Sequence, residues 1–205
     1  MEINFYFQIA VIIVSIIFHE LAHGYTAYFL GDPTAKYEGR LTLNPLKHLE
    51  IFGSILVPMI TYSLGGVVFG WAKPVPYNPY NIKNKYGEVM VAAAGPISNF
   101  LIAFVFAMYF RGLGGAAVMT PQGSLALLIV MVNVTLGIFN LIPIPPLDGF
   151  KVFTGLLPYN FRYIKEYIEK NILLFIIIFI FGFSFVMDPL VAWLFRLMTG
   201  IGGGI

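Results

Sequence analysis

The sequence predicts an all-α polytopic membrane protein, a helical bundle with one segment that dips into the membrane and returns. Composition is the first observation: 59% of the 205 residues are hydrophobic and only 11% are charged, against about 25% in an average soluble domain. The second is that several uncharged runs exceed the roughly 20 residues with which a helix crosses a bilayer. The third is that the Lys and Arg residues lie in the loops between these runs, as in other membrane proteins.

Composition also narrows the class of protein. The net charge of +2 is too small to indicate a nucleic-acid partner. Cysteine is absent, which excludes disulfides, thiolate zinc ligands and a cysteine nucleophile. The first apolar run has neither a positively charged segment before it nor a small-residue cleavage site, so we expect a permanent span rather than a signal peptide. Residues 1–205 are expected to form one integral membrane domain.

Four stretches are predicted to span the membrane, and turn residues bound them. The first ends at Gly31-Asp32-Pro33, because proline disfavours helix in the residue before it. Residues 151–170 carry Lys, Arg and Glu and are expected to form an interfacial loop, and residues 188–205 a short tail. The predicted spans are residues 5–30, 89–110, 124–142 and 171–187.

The apolar run 51–69 is barely long enough to span, and Gly53 and Pro58 weaken it as a helix. If it spans, Lys and Arg divide seven to five between the two sides of the membrane. If it dips in and returns, they divide ten to two, with only Arg111 and Arg196 on the outer side. The positive-inside rule favours the second arrangement. We therefore predict a re-entrant element over residues 51–76, a short helix plus the extended segment Val67–Pro76, with the N-terminus outside.

The first predicted span contains the motif H-E-x-x-H at residues 19–23. On a helix His19 and His23 share a face, which suits one zinc ion, and Glu20 beside them suits a general base toward a zinc-activated water. Charged groups at membrane depth cost about 2.5–3.5 kcal/mol each on insertion scales. A divalent metal would compensate that cost.

A third protein ligand is needed, and Asp148 is the strongest candidate. It is the only charged residue between Gly112 and Phe150, and it follows a turn with three prolines in four positions, which cannot continue a helix. Such an unwound turn can aim the carboxylate into the bundle; a helix-capping aspartate is the alternative. Glu50 and Glu88 are weaker candidates, and His48 is expected to support the site from outside the ligand set or to lie at the surface.

Three segments together resemble the site-2 protease family of intramembrane zinc metalloproteases (peptidase family M50), over roughly residues 15–155. They are the H-E-x-x-H at 19–23, the segment A-G-P-I-S-N at 94–99, and the segment 140–149, N-L-I-P-I-P-P-L-D-G. The resemblance implies a three-helix catalytic core and a membrane-dipping β segment. Family members often add a PDZ or CBS domain; neither fits in these 205 residues, so a minimal form is expected.

The resemblance also implies the chemistry of the site. One Zn²⁺ would be held by His19, His23 and Asp148, with Glu20 as the base. Asn140 would donate a hydrogen bond to the oxyanion; satisfying the backbone of its own turn is the alternative role. The expected partners are transmembrane protein substrates and the lipid bilayer, and the active site is expected to face the cytoplasm. Whether the chain forms a homo-oligomer is left open.

Three other functions fit the sequence less well. A zinc or proton transporter would use the same buried ligands, but transporters are usually built from internal repeats, and none is visible. A non-catalytic membrane adaptor would be expected to have lost one of the site residues. A different membrane zinc protease would need a downstream glutamate, and Glu166 and Glu169 fall in a charged loop.

Overall fold

The structure, a computed structural model, describes residues 5–50 and 72–201, together with residues 53, 56, 59, 60 and 63. In that part of the chain all regular structure is helical and no β-strand is present. The ranges 5–50 and 72–201 contain seven α-helices: α1 (Phe5–Phe29), α2 (Thr34–Tyr37), α3 (Gly87–Gly112), α4 (Pro121–Asn140), α5 (Asp148–Leu156), α6 (Arg162–Lys170) and α7 (Ile172–Thr199). Single 3₁₀ turns lie at Pro45–Lys47, Pro79–Asn81, Gly115–Met119 and Tyr159–Phe161.

Within the described part of the chain, three helices are long and apolar enough to cross a membrane: Tyr6–Phe29, Gly87–Gly112 and Pro121–Asn140. The prediction of a helical membrane protein is thereby confirmed. Their ends follow local signals in the sequence. Thr120 caps the start of α4, where its hydroxyl accepts a hydrogen bond from the Gly123 amide, and Pro121 takes the first helical position.

Helix α7 contains the fourth predicted span and continues beyond it to Thr199. Pro189 lies inside this helix, although an internal proline costs about 3 kcal/mol in helix stability. Met187 and Phe195 flank the proline and are buried against Ala103 and Val130 of the bundle. This packing explains why residues 188–199, expected to be a tail, are helical.

Helix α3 lies at the centre of the bundle and packs against α1, α4, α5 and α7. Its inward positions are small residues such as Ala92, Ala103 and Ala107, which let neighbouring helices approach closely. Several of its large apolar side chains, Leu101 and Phe104 among them, are exposed. Exposed apolar side chains suit a helix that faces lipid.

The end of α1 and the start of α3 lie at the same end of the bundle. The imidazole of His23 in α1 donates to the Val91 carbonyl near the start of α3. Asp32, just after α1, is bonded to residues shortly before α3. The chain between these helices therefore returns to the end of the bundle from which it left. The predicted re-entrant element falls mostly on residues 51–71, which are largely outside the described residues, and residues 72–76 have no regular secondary structure.

The stretch 151–170, expected to be a loop, contains most of α5 and all of α6. Helix α5 begins at Asp148 itself, because Pro146 is the last proline of the preceding turn and nothing after it opposes helix.

The buried carboxylate of Asp32 joins the end of α1 to the loop before α3. It accepts hydrogen bonds from the Thr34 amide at 3.2 Å and hydroxyl at 2.6 Å, from the Asn78 amide at 2.6 Å, and from the Asn81 side chain at 2.8 Å. Burial by itself would raise the pKa of Asp32, but the hydrogen bonds outweigh it and lower the pKa below its ordinary value.

This lowered pKa predicts an acid-dependent loss of stability. The folded state holds the ionised carboxylate, so the contribution is complete above the unfolded pKa, about 3.9, and is lost as pH falls toward the folded pKa. We expect Asp32→Asn to lower the free energy of unfolding at pH 7 by about 1–3 kcal/mol and to flatten the pH dependence below about pH 5. Thermal unfolding in detergent across this range measures both, with the exposed Glu38→Gln as control. An unchanged acid limb in Asp32→Asn would contradict the assignment.

Candidate metal centre

His19 and His23 lie one turn apart on α1, and both side chains are buried. Their Nε2 atoms are 3.0 Å apart, and their rings are nearly perpendicular at 84°. The spacing of four residues therefore produces the convergent pair that the motif predicts.

Asp148 completes a triangle with this pair. Its Oδ2 lies 3.0 Å from Nε2 of His19 and 3.1 Å from Nε2 of His23. The proline-containing turn before α5 brings this carboxylate back to α1, across 125 residues of sequence. Within the described residues this is the one group of three His, Asp or Glu side chains close enough to share a metal ion.

The separations of these three atoms fit a tetrahedral zinc site. Nitrogen and oxygen ligands lie about 2.0 Å from zinc, which puts two tetrahedral ligands about 3.3 Å apart. The three atoms are 3.0–3.1 Å from one another, close to that value. A small outward displacement of the three atoms, a few tenths of an ångström, therefore separates this arrangement from a bound one.

Hydrogen bonds on the far side of each ring fix which nitrogen carries the proton when the imidazole is neutral, and they leave the lone pair on Nε2. Nδ1 of His23 contacts the Val91 carbonyl at 2.7 Å, and a carbonyl can only accept, so this Nδ1 carries the proton. The neutral ring then has its lone pair on Nε2, as a metal ligand requires.

His19 is fixed in the same way by a longer chain of bonds. The Asn133 side-chain amide donates to the Ile129 carbonyl and to the Ser15 hydroxyl, so its oxygen faces the Asn99 amide nitrogen. The Asn99 oxygen consequently faces Nδ1 of His19, at 2.6 Å, and must accept its proton. The backbone of α4 thus sets the tautomer of a side chain on α1.

Glu20 lies next to His19 on α1 and is bonded to the segment that precedes α3. Its Oε2 accepts a hydrogen bond of 2.7 Å from the backbone amide of Val75. The second carboxylate oxygen, Oε1, remains for a water or a substrate group. This geometry suits a base held in one orientation.

Comparison with known proteins identifies the family of the chain. The profile of Peptidase family M50 matches residues 7–120 and 113–183. The chain belongs to peptidase family M50. Together with the three apolar helices, this makes the protein a membrane-embedded member of a metallopeptidase family.

Several M50 relatives are similar over most of the chain. The Bacillus subtilis (strain 168) protein named "Putative zinc metalloprotease YwhC" is 37% identical over 193 residues, 90% of this chain and 85% of the relative. "Putative zinc metalloprotease Rip2" of Mycolicibacterium smegmatis is 31% identical over 67% of this chain and 52% of its own length. "Zinc metalloprotease MJ0392" of Methanocaldococcus jannaschii is 26% identical over 75% of this chain and 35% of its own length. No solved structure matches the chain.

The glycine of the A-G-P-I-S-N segment lies directly against the histidine pair. A Cβ on Gly95 would be 2.6 Å from Nε2 of His19 and closer still to Nε2 of His23. Helix α3 therefore forms one wall of the candidate metal site with bare backbone, and no side chain fits there.

The sequence left two alternative roles open for Asn140 and for His48. Asn140 ends α4, and its side-chain amide donates to the Leu136 carbonyl of the same helix at 3.0 Å. His48 is buried, not at the surface; its Nε2 donates to the Thr42 carbonyl at 2.8 Å. It does not join the three convergent ligands.

Sequence reasoning missed the roles of Ser15, Asn99 and Asn133, which form the buried chain behind His19. Asn99 and Asn133 have no exposed surface, and Ser15 is 4% exposed. A signal existed: a polar side chain inside an apolar span must find a partner, since lipid provides none. The partners themselves depend on helix packing, which the sequence does not state.

A methyl group at position 95 should abolish zinc binding. We expect Gly95→Ala to lose most of its zinc because the added Cβ occupies the space beside both Nε2 atoms. Metal analysis of the purified protein measures this. Gly112→Ala on the same helix is the control, because its Cβ meets nothing within 4 Å. Full zinc content in Gly95→Ala would show that α3 does not form the wall described.

Truncation of Asn133 should weaken zinc binding without touching a ligand. Asn133→Ala frees the Asn99 amide to rotate, so the proton on Nδ1 of His19 is no longer fixed. Loss of such supporting bonds typically costs about 10–100-fold in metal affinity, and we expect the lower end because Asn133 acts through Asn99. Chelator competition measures the affinity, with Thr135→Val on α4 as control. Equal zinc affinity in both variants would refute the relay.

Proposed function

We propose that this protein is an intramembrane zinc metalloendopeptidase of the site-2 protease type, which hydrolyses peptide bonds within or near transmembrane segments of other proteins. The observation that carries this proposal is the convergence of three lone-pair donors beside a carboxylate, with two of the donors and the carboxylate on a membrane-length helix. The donors are those of His19, His23 and Asp148. The relatives named as zinc metalloproteases support the same activity.

The three convergent side chains would hold the zinc ion. When bound, zinc supplies a positive charge that acidifies water and stabilises negative charge on a carbonyl oxygen. Both histidines meet the requirement for neutral ligands, because their Nδ1 protons are engaged with Asn99 and Val91.

Glu20 acts as the general base. It takes a proton from the water that attacks the peptide carbon, and the C–N bond then breaks. The same carboxyl group returns the proton to the leaving nitrogen, so one residue serves as base and then as acid. The Val75 amide holds one carboxylate oxygen during this cycle and leaves the other for the proton transfers.

Asn140 is proposed as a further donor to the oxyanion. An amide nitrogen carries two N–H groups, and the Leu136 carbonyl takes one of them. The remaining N–H is available where α4 ends, eight residues before Asp148.

A helical substrate must unwind before its carbonyls can reach this site. Addition of the unwound peptide to an extended segment of the enzyme would hold it. Residues 73–75 are already bonded to Arg40, His48 and Glu20. A substrate strand would therefore have to use the part of the predicted Val67–Pro76 segment that precedes Lys73.

The proposed orientation is multi-pass, with the N-terminus outside and the active site toward the cytoplasm. The ten-to-two division of Lys and Arg supports it. Arg111 at the end of α3 donates to the Leu197 carbonyl of α7 at 2.6 Å, so the residues assigned to the outer side share one end of the bundle.

Replacement of Glu20 by glutamine should separate metal binding from catalysis. We expect Glu20→Gln to keep one zinc per chain but to lose about 10²–10⁴-fold in rate, because an amide cannot accept the proton from water. Zinc is measured by metal analysis, and cleavage by mass spectrometry of single-span peptides reconstituted with the enzyme in liposomes.

Asp148→Asn is the matched comparison, since it also replaces a carboxylate by an amide but removes a metal ligand. It should lose both zinc and cleavage. Undiminished cleavage by Glu20→Gln would remove Glu20 from the mechanism.

A further inference from the structure

Arg40 is a buried cation that binds backbone rather than a carboxylate. Arg40 is only 5% exposed, and its Nη2 donates to the carbonyls of Lys73 at 2.8 Å and Pro74 at 3.2 Å. Among the described residues no acidic group forms an ion pair with it. Burying an arginine without a counter-charge costs free energy, which indicates that its contacts serve a function.

The backbone that Arg40 binds is the segment 73–75, which is held from several sides. The Lys73 amide donates to the His48 carbonyl at 2.9 Å. On the other side the segment packs on α1 beside Gly24, where a Cβ would come within 2.8 Å of Val75 Cγ1. Gly24 lies four residues after Glu20 and so shares its helix face.

The sequence of this segment leaves one possible donor for Glu20. Pro74 and Pro76 have no N–H, and the Lys73 amide is bonded to the His48 carbonyl, so the Val75 amide is the backbone donor that residues 73–76 leave for Glu20. That amide bonds Oε2 of Glu20 at 2.7 Å. A shift of the segment by one residue in either direction would bring a proline nitrogen to the carboxylate, and the bond would be lost.

We propose that Arg40 is a positioning residue for catalysis: it fixes the segment 73–75 so that the Val75 amide holds Glu20 in its working orientation. The proposal rests on the proposed function, in which Glu20 is the base. Arg40 does not contact Glu20 or the metal ligands; it acts through the backbone between them.

The energetic reason lies in the mobility of a glutamate side chain. A short hydrogen bond to an ionised carboxylate is about twice as strong as a neutral one and selects one rotamer. Misplacement of a reacting group by about 1 Å can cost about 10²-fold in rate. An arginine is suited to this task because its planar guanidinium stays charged and presents donors in a fixed geometry.

A purely structural role for Arg40 makes a different prediction. If the guanidinium only joins the loop 40–48 to the segment 73–75, its loss should reduce stability and zinc content together with activity. A positioning role leaves zinc in place, because His19, His23 and Asp148 are fixed by other bonds, and lowers kcat far more than it changes KM.

The test uses full-length protein purified in detergent, with zinc content, kcat and KM measured on one peptide substrate. We expect Arg40→Ala to keep one zinc per chain, to lose about 10–100-fold in kcat and to change KM little. Arg40→Lys should recover part of that loss, since an ammonium group can still donate to carbonyls. Lys36→Ala, which removes an exposed cation nearby, should match the wild type.

A second pair of variants tests the amide itself. Val75→Pro removes the N–H and should lower kcat as Arg40→Ala does, with zinc retained. Val75→Ala keeps the N–H and should be at least about tenfold more active than Val75→Pro. This pair decides the question if Arg40→Ala fails to fold.

The outcomes separate the two proposals. Wild-type kcat in Val75→Pro, or parallel loss of zinc and activity in Arg40→Ala, would overturn the positioning role. If Glu20→Gln is inactive while Arg40→Ala and Val75→Pro are fully active, only this inference fails. If Glu20→Gln is itself active, the proposed function fails first.

Discussion

The structure depends on the convergence of three lone-pair donors inside a bundle of apolar helices. Two imidazole nitrogens and one carboxylate oxygen within 3.1 Å of one another repel unless a cation lies between them. The donors come from α1 and from the first residue of α5, so a shared cation would link these two helices. Gly95 of α3 makes room for them, which explains why the central helix of the bundle has backbone rather than a side chain at this level.

Hydrogen bonds behind the two imidazoles determine which of their nitrogens faces the site with a lone pair. An imidazole can present either a proton or a lone pair, and here backbone carbonyls decide which. Val91 does so directly for His23, and Ile129 does so for His19 through two buried asparagines. The bonds from His23 to Val91, from His19 to Asn99 and from Asn99 to Asn133 cross between helices, so the correct tautomers exist only when α1, α3 and α4 are packed as observed. Folding of the bundle and preparation of the metal ligands are therefore one process.

The sequence predicted the parts of the site that local geometry dictates. The spacing of His19 and His23 follows from the helix repeat, and Asp148 was identifiable as the only charge in a long apolar stretch. The helical continuation past Pro189 was missed because the local cost of proline was weighed without the packing of Phe195 against the bundle. The hydrogen bond from Val75 to Glu20 could not be predicted for a different reason. Its donor is a backbone amide, which has no signature in the sequence. The predicted re-entrant element could not be compared, since it falls mostly outside the described residues.

The buried polar residues form two separate systems that meet at neighbouring positions of α1. Ser15, Asn133 and Asn99 support His19 from within the bundle. Arg40 and the segment 73–75 support Glu20 from the end where the loops gather. Adjacent residues on a helix point about 100° apart, so His19 faces α3 while Glu20 faces the loop segment. Under the proposed function, metal affinity and proton transfer rest on different parts of the fold, although their residues are adjacent in sequence. This separation lets the loop segment change the orientation of the base without disturbing the bonds that prepare the metal ligands.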